Sequence, residues 1–482
     1  MKHSYIQVLT GILCMLSCFS YPMTGAAADS QPNAIPLRGI VEGFYGTPWT
    51  QEDRISTLQF MGSHNMNLYI YAPKNDPYHR EKWREPYPPE EMAHLQQLIH
   101  TAQQNNVEFV FAISPGLDMQ FDGIQGQQDF TALLKKFNLL YNAGVRQFAI
   151  FFDDIKNKDA LRQAQVLNEI NRQFVHKRPD VQPLLTVPTE YFSADMINTQ
   201  GTKPYTAVFA SKLDKDIIVM YSGPGVVCEG ISLSDISKVE QIYGRKMAIW
   251  WNYPVSDYRT GKLALGPITG MEPGVSEHMA AFLMNPMEHA VLSRIALETG
   301  ADYTTNPQTY DAETAWNHAL HEQYGALADD MKIFADHSQR MNNNWAHTGR
   351  PDAPLLRQHI DAMWQTINNN SNAMTEQKIL KDDFETMEQA SIRLQQALPS
   401  EALQEGKHQL YLLQQLAAAD QTALFIVQSE QEGHTHIAKT LDRLLTRQQK
   451  DLLPAEQAIL SEKTAASFLQ ETQTWYEKKT HK

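Results

Sequence analysis

Cysteine is scarce in this chain of 482 residues: there are three, Cys14, Cys18 and Cys228. Two of them fall in the first 28 residues, where Lys2 gives a positive start, Val8 to Phe19 a short apolar core and Ala26-Ala27-Ala28 a small-residue cleavage site, the pattern of a secretory signal. A chain processed there keeps only Cys228 and forms no internal disulfide, so its stability must come from packing. The expected address is secreted or periplasmic; Met15-Leu16-Ser17-Cys18 only faintly matches a lipoprotein box, its Met being unusual at that position. The apolar core is too short to cross a bilayer, and no membrane span is expected. Basic residues are also in deficit, 41 Lys and Arg against 55 Asp and Glu for a net charge of -14, which argues against a nucleic acid partner. A nucleophile elbow, a zinc-protease helix, a phosphate loop and paired Cys-x-x-Cys are absent. Gly223-Pro224-Gly225 reads as a strand-end turn, not a dinucleotide loop, and His434-Thr435-His436 has no third ligand at metal spacing. No cofactor and no metal are expected, so the chemistry falls to side chains.

What is present is a rhythm. Between about Pro36 and Asn285, short apolar runs alternate with capped helical patterns such as Thr50-Gln51-Glu52-Asp53. Eight strands are predicted: Leu37–Tyr45, Asn67–Ala72, Glu108–Ser114, Gln147–Phe152, Pro183–Val187, Ile217–Tyr221, Met247–Trp251 and Met279–Met284. Eight such units predict an α/β fold, a (β/α)8 TIM barrel, over residues 29–303. Many of the strands end in polar or aromatic residues: Glu42-Gly43-Phe44-Tyr45, Lys74-Asn75-Asp76, Asp153-Asp154, Glu190-Tyr191, Trp250-Trp251-Asn252 and Asn285. In a parallel barrel these ends converge on one face, where active sites sit.

The run Phe148 to Phe152 reads as a strand buried on both faces, and it ends in two adjacent carboxylates. Crowding and dehydration there predict that at least one pKa rises toward the range of a general acid. The plain alternative is that Asp153 caps the next helix while Asp154 faces water. Carboxylates among Trp, Tyr and Asn suit carbohydrate, because sugar faces stack on rings and hydroxyls bond to carboxylates and amides. Adjacent carboxylates are too close to flank an inserted water as an inverting glycosidase pair does.

After about Thr304 strand signals fade. Leu356, Ile360, Met363 and Ile367 form one apolar stripe, and residues 304–482 predict a bundle of five or six helices packed directly on the barrel, with no chemistry of its own.

Several ordered motifs carry a resemblance. Gly39-Ile-Val-Glu-Gly-Phe-Tyr-Gly-Thr-Pro-Trp49, Tyr71-Ala-Pro-Lys-Asn-Asp76, Ser114-Pro-Gly-Leu-Asp118, Phe152-Asp-Asp-Ile155, Pro188-Thr-Glu-Tyr191, Trp250-Trp-Asn-Tyr-Pro-Val-Ser-Asp257 and Asn285-Pro286 together resemble glycoside hydrolase family 84, the β-N-acetylglucosaminidases that include O-GlcNAc hydrolases. The resemblance spans roughly residues 36 to 300. It implies a retaining, exo-acting enzyme on glycans or glycoproteins with terminal N-acetylglucosamine, in which the substrate's own 2-acetamido oxygen is the nucleophile and an oxazoline the intermediate. It makes Asp154 the general acid/base and Asp153 the group that orients and polarises the acetamido. It further implies Asn252 and Tyr191 around the acetamido, Trp250 on its methyl, Asp257 on O4 and O6, the Gly43 carbonyl, Lys74 and Asn285 near O3 and O4, and Tyr45 on the wall. Many bacterial relatives carry a small α/β domain before the barrel, and here only about eight residues separate the expected cleavage site from the first strand, which bears on the acceptor side. Two other readings stand beside it: a silent glycan-binding protein on the same barrel, and an interaction protein acting through its helical part.

Overall fold

A computed structural model describes residues 33–480; the expected signal segment, with Cys14 and Cys18, lies outside them. All eight strands are present: β1 (Leu37–Glu42), β2 (Leu68–Tyr71), β3 (Glu108–Ile113), β4 (Gln147–Phe151), β5 (Leu185–Val187), β6 (Ile218–Tyr221), β7 (Met247–Trp251) and β8 (Met279–Met284). They are parallel and close in chain order, β8 returning to β1 with Ala281 opposite Leu37 and Met284 opposite Ile40. The expected fold class therefore holds. Six strands are shorter than their apolar runs. Pro183 has no N–H for a ladder, so β5 starts later, and Phe44-Tyr45, Ala72 and Ser114 already belong to the loops over the barrel mouth.

Strand β4 shows how the pleat builds two cores. Phe148 and Ile150 face the surrounding helices, whereas Ala149 and Phe151 face the barrel axis. Ala72, Ala112, Ala149, Ala248 and Ala281 keep the interior narrow. Phe151 and Trp250, edge to face at 5.6 Å, fill it near the C-terminal ends of the strands.

Seven helices of nine or more residues accompany the barrel: α1 (Gln51–Ser63), α2 (Pro89–Gln104), α3 (Gly123–Asn142), α4 (Ala160–Ile170), α5 (Pro204–Lys212), α6 (Leu233–Tyr243) and α7 (Ala290–Thr305), with a single helical turn at Ser193–Met196 besides. Thr50 caps α1 in a reciprocal box with Asp53, as its sequence predicts. The β7–β8 connection, residues 252–278, departs from the expected alternation. It holds no α-helix, only a 3-10 turn at Val275–His278.

The C-terminal part explains how that connection is tolerated. It contains α8 (Ala312–Tyr324), α9 (Ala328–Asp336), α10 (Pro354–Asn368), α11 (Met374–Ala397), α12 (Ser400–Gln431), α13 (Thr435–Asp451) and α14 (Ala465–Thr480). Seven helices stand where five or six were expected, because Gly325, at φ +51°, ends α8 and lets α9 restart at once. Between α9 and α10 lies a hairpin, β9 (Met341–Asn342) with β10 (His347–Thr348). This region supplies the hydrogen bonds that a helix would have made internally. Ser338 O accepts from Leu265 N (2.8 Å), Leu265 O accepts from Trp316 Nε1 (2.8 Å), and Gly261 O accepts from Ile459 N (2.9 Å) and Gln409 Nε2 (2.8 Å). Lys262 and Asp352 add a buried ion pair. Residues from Asn33 on form one compact unit.

The predicted stripe Leu356, Ile360, Met363 and Ile367 is the buried set of α10. Among the described residues, α12 alone is long and apolar enough to cross a membrane, but 67% of that stretch is buried, as befits the central helix of a bundle.

Candidate active site

The strand ends enclose a cavity of about 480 Å3. All ten residues singled out in the sequence line it: Gly43, Tyr45, Lys74, Asp153, Asp154, Tyr191, Trp250, Asn252, Asp257 and Asn285. Other strand-end groups turn away. Glu42 is buried in a forked pair with Arg54 and accepts from Tyr69; Asp76 accepts from Tyr71 (3.0 Å) and Tyr87 (2.6 Å); Glu190 accepts from Thr206 (2.6 Å). Trp251 packs outward with the helix-facing core.

Adjacent residues on a strand face opposite ways, yet Asp153 and Asp154 both reach the cavity. Asp154 sits at φ +53°, so the left-handed turn begins at the second carboxylate and breaks the alternation. Asp153 Oδ2 accepts from Lys74 Nζ at 2.8 Å, with only 9% and 4% of the two side chains exposed. Its Oδ1 is buried and has no hydrogen-bond partner among the described residues.

Burial pushes the Asp153 carboxyl up, but the charge and hydrogen bond of Lys74 outweigh it and hold the group below the usual carboxylate range. The sequence predicts an upward shift for at least one of the pair, and Asp153 moves the other way. The reason is a cation delivered by the loop after β2, far away in sequence. Burial disfavours the charge of Lys74, and Asp153 more than restores it, so the ammonium is held above its ordinary pKa.

Asp154 is more exposed and is oriented by two phenols: Tyr45 OH donates to Oδ2 at 2.8 Å and Tyr191 OH to Oδ1 at 3.3 Å. Burial first, and then the neighbouring carboxylates, keep the Tyr191 phenol protonated well above its ordinary range.

The floor is a relay of amides. Asn252 Oδ1 accepts from Trp250 Nε1 (2.9 Å) and Asn285 Nδ2 (3.0 Å), and Asn252 Nδ2 donates to Val226 O (2.8 Å). Asn285 Oδ1 accepts from Gly43 N at 3.2 Å. The Trp250 indole lies so close to Gly43 that a β-carbon there would meet it at 2.4 Å, which is why glycine stands at this strand end. On the far wall Asp257 Oδ2 accepts from Tyr45 N at 2.8 Å, and burial raises its pKa despite the N–H groups of Tyr45 and Tyr258. The Gly223-Pro224-Gly225 segment is a turn, as expected, and it leads into Val226 and Val227 on the cavity wall.

The sequence reading misses the apolar wall of Val187, Met220, Val226, Val227 and Val255, and the aromatic rim of Tyr258 and Trp345. Trp345 comes from the helical part, to which the sequence reading assigns no chemistry of its own. It sits on the turn of the β9–β10 hairpin, 53% exposed, its ring 5.4 Å from that of Tyr258. The available signal is a tryptophan following three asparagines, Asn342-Asn343-Asn344, since turn-forming residues promise exposure.

A family model described as beta-N-acetylglucosaminidase matches residues 38–336, and one described as hyaluronidase post-catalytic domain-like matches residues 355–469. Protein O-GlcNAcase of Rattus norvegicus is 32% identical over 287 residues, 58% of this chain and 31% of that protein. The Mus musculus protein of the same name is 32% identical over 274 residues, 55% of this chain and 30% of the other. The match thus spans less than a third of these curated relatives. Among solved structures, CpGH84B superposes with a TM-score of 0.88 at 40% identity, covering 91% of this chain and 77% of that one. A mutant of the Thermobaculum terrenum O-GlcNAc hydrolase superposes with a TM-score of 0.81 at 25% identity, covering 90% and 94%.

Proposed function

The chain belongs to the β-N-acetylglucosaminidase family, glycoside hydrolase family 84, and from that premise we propose that it removes terminal β-linked N-acetylglucosamine from glycans or glycoproteins, exo-acting and with retention. The signal pattern of the first 28 residues supports action outside the cytoplasm or in the periplasm.

One observation carries this reading. Asp153 is kept ionised by Lys74 on one oxygen while its other oxygen is buried without a partner. A buried acceptor is costly unless a donor completes it, and the amide N–H of a 2-acetamido group is a donor of the right kind. Accepting that N–H pushes electron density toward the acetamido oxygen, which attacks the anomeric carbon and closes the oxazoline ring. Asp154 gives its proton to the departing glycosidic oxygen, then takes one from the water that opens the ring from the leaving-group face. Two displacements at one carbon preserve its configuration, the substrate-assisted exception to the two-carboxylate scheme. Trp250 supports an apolar seat for the acetamido methyl, and Asn252 and Asn285 support amide contacts to the sugar. Trp345 and Tyr258, at the rim, suit the aglycone, whose flat or apolar portions stack on exposed rings.

The test compares an aryl β-N-acetylglucosaminide with the matching β-glucoside. The glucoside lacks the reacting atom and is expected to be essentially inert, whereas comparable turnover of both would remove the acetamido nucleophile from the scheme.

A further inference from the structure

Four titratable side chains from three helices meet on the barrel exterior. His64 follows the last residue of α1, Glu298 lies within α7, and His318 and Glu322 stand one turn apart on α8. His64 Nε2 is 3.2 Å from Glu322 Oε1 and 3.6 Å from Glu298 Oε2, and one ligand atom from each of these three residues lies within 4.8 Å of the others. His318 Nδ1 is 3.3 Å from Glu298 Oε1, and its Nε2 is 3.7 Å from Glu322 Oε2.

The hydrogen bonds around the cluster point it inward. His64 Nδ1 is 2.8 Å from the Phe60 carbonyl, an oxygen that can only accept, so that nitrogen donates there and Nε2 is the ring atom that faces the two carboxylates and is left to meet an ion. That Nε2 is buried with no hydrogen-bond partner, and so is Glu298 Oε1, on a side chain only 1% exposed. Glu298 Oε2 is oriented by Gln323 Nε2 at 2.7 Å. One imidazole nitrogen and two carboxylates thus converge around the buried Glu298, an arrangement that a shared cation would satisfy. The spacings suit a small one: a tetrahedral ion with bonds of ~2.0–2.1 Å separates its ligands by about 3.3 Å. A backbone carbonyl on the far imidazole nitrogen and an amide on a ligating carboxylate are the outer contacts that metal ligands carry.

We propose that His64, Glu298 and Glu322 bind one divalent transition-metal ion, with water completing its coordination and His318 flanking both carboxylates. Imidazole with carboxylate and no thiolate favours zinc or a neighbouring first-row ion over calcium or magnesium. The place is structural, not catalytic. His64 sits just before β2 begins, at the N-terminal end of the barrel opposite the cavity mouth, where residues serve stability. An ion there ties α8 to α1 and α7. Sequence spacing does not reveal it, because the ligands are scattered from residue 64 to residue 322.

The test uses the full chain, stripped with a chelator and dialysed, then titrated with Zn2+ by calorimetry and with Co2+ by visible absorption. One zinc per chain, a four- or five-coordinate cobalt spectrum and a higher melting temperature with zinc are expected. Glu322→Gln alters a half-exposed side chain and keeps the fold, and His64→Gln is the second variant. Each is expected to weaken zinc binding at least ~10-fold and to lose the cobalt spectrum. Superimposable titrations of wild type and Glu322→Gln would mean adventitious surface binding and overturn the proposal. So would a wild-type chain whose melting temperature ignores both chelator and zinc and which gives no cobalt spectrum, since the cluster is then a network of imidazolium–carboxylate pairs.

Discussion

Two buried carboxyls, Asp153 in the cavity and Asp420 in the helical region, are treated in opposite ways. Asp153 at the barrel mouth has a buried ammonium against it and is held below the usual range. Asp420, in the centre of α12, is fully buried with neither oxygen partnered, and burial pushes it well above that range. Burial likewise raises Glu405 to about 7, although it accepts from the N–H groups of Val291 and Leu292 at the start of α7, and raises Asp336 to about 6. Burial alone is therefore no mark of chemistry. What separates Asp153 from Asp420 is that the fold spends a cation to keep the first charged and leaves one of its oxygens without a partner beside a cavity. A neutral buried acid in a bundle is a packing element with a pH liability.

The sharpest way to break the contrast is to delete the carboxylates of the cavity. Asp154→Ala is expected to lose about 10²–10⁴-fold in kcat/KM on an alkyl or sugar aglycone, and far less on an activated aryl one that needs little protonation. Asp153→Ala is expected to lose heavily on both. A leaving-group series measures this, and equal losses across it for Asp154→Ala would reverse or dissolve the two assignments.

Next in size is Gly43→Ala. Its new methyl would overlap the Trp250 ring, and a displacement of the floor by about 1 Å is worth roughly 10²-fold in rate. Circular dichroism should stay unchanged while kcat/KM falls; an unimpaired variant would mean that the indole moves freely.

Lys74→Met tests the cation itself. With Lys74 present, Asp153 stays ionised as the pH falls below the ordinary carboxylate value of ~3.9, and its function is lost only on passing the lowered pKa. Without the ammonium, burial is opposed only by a backbone N–H and the charge of Arg80, and the pKa rises. The acid limb of the kcat/KM profile is expected to move to higher pH; an unmoved limb would assign it to another group.

The smallest effect belongs to the helical region. A folded-state pKa above the unfolded value leaves stability at its fullest below ~3.9 and erodes it as the pH rises toward the folded value. Asp420→Leu removes that erosion. It is expected to raise stability by on the order of 1–3 kcal/mol at pH 8 and by less at pH 5, read from denaturant melts at both. A loss of stability at both would show that Asp420 has a partner role after all.

The sequence by itself determined the barrel and most of its mouth. An alternating pattern of apolar runs is read by the pleat, so β4 buries Phe148 and Ile150 on one side and Ala149 and Phe151 on the other wherever the strand lies. Parallel closure then brings every strand end to one face, which is why ten residues spread from Gly43 to Asn285 line one cavity. Tertiary structure decided what depends on contacts between distant segments. The charge state of Asp153 is set by Lys74, 79 positions away. Pairing with the helical region lets the β7–β8 connection do without a helix and brings Trp345 to the rim, and neither has a local periodic signal. No local pattern says whether Asp420 finds a partner, and the His64 cluster has no motif, because its members share a place only after three helices pack. Local pattern fixes which face a side chain takes; only packing fixes what stands opposite it, and that opposing group sets its charge and its use.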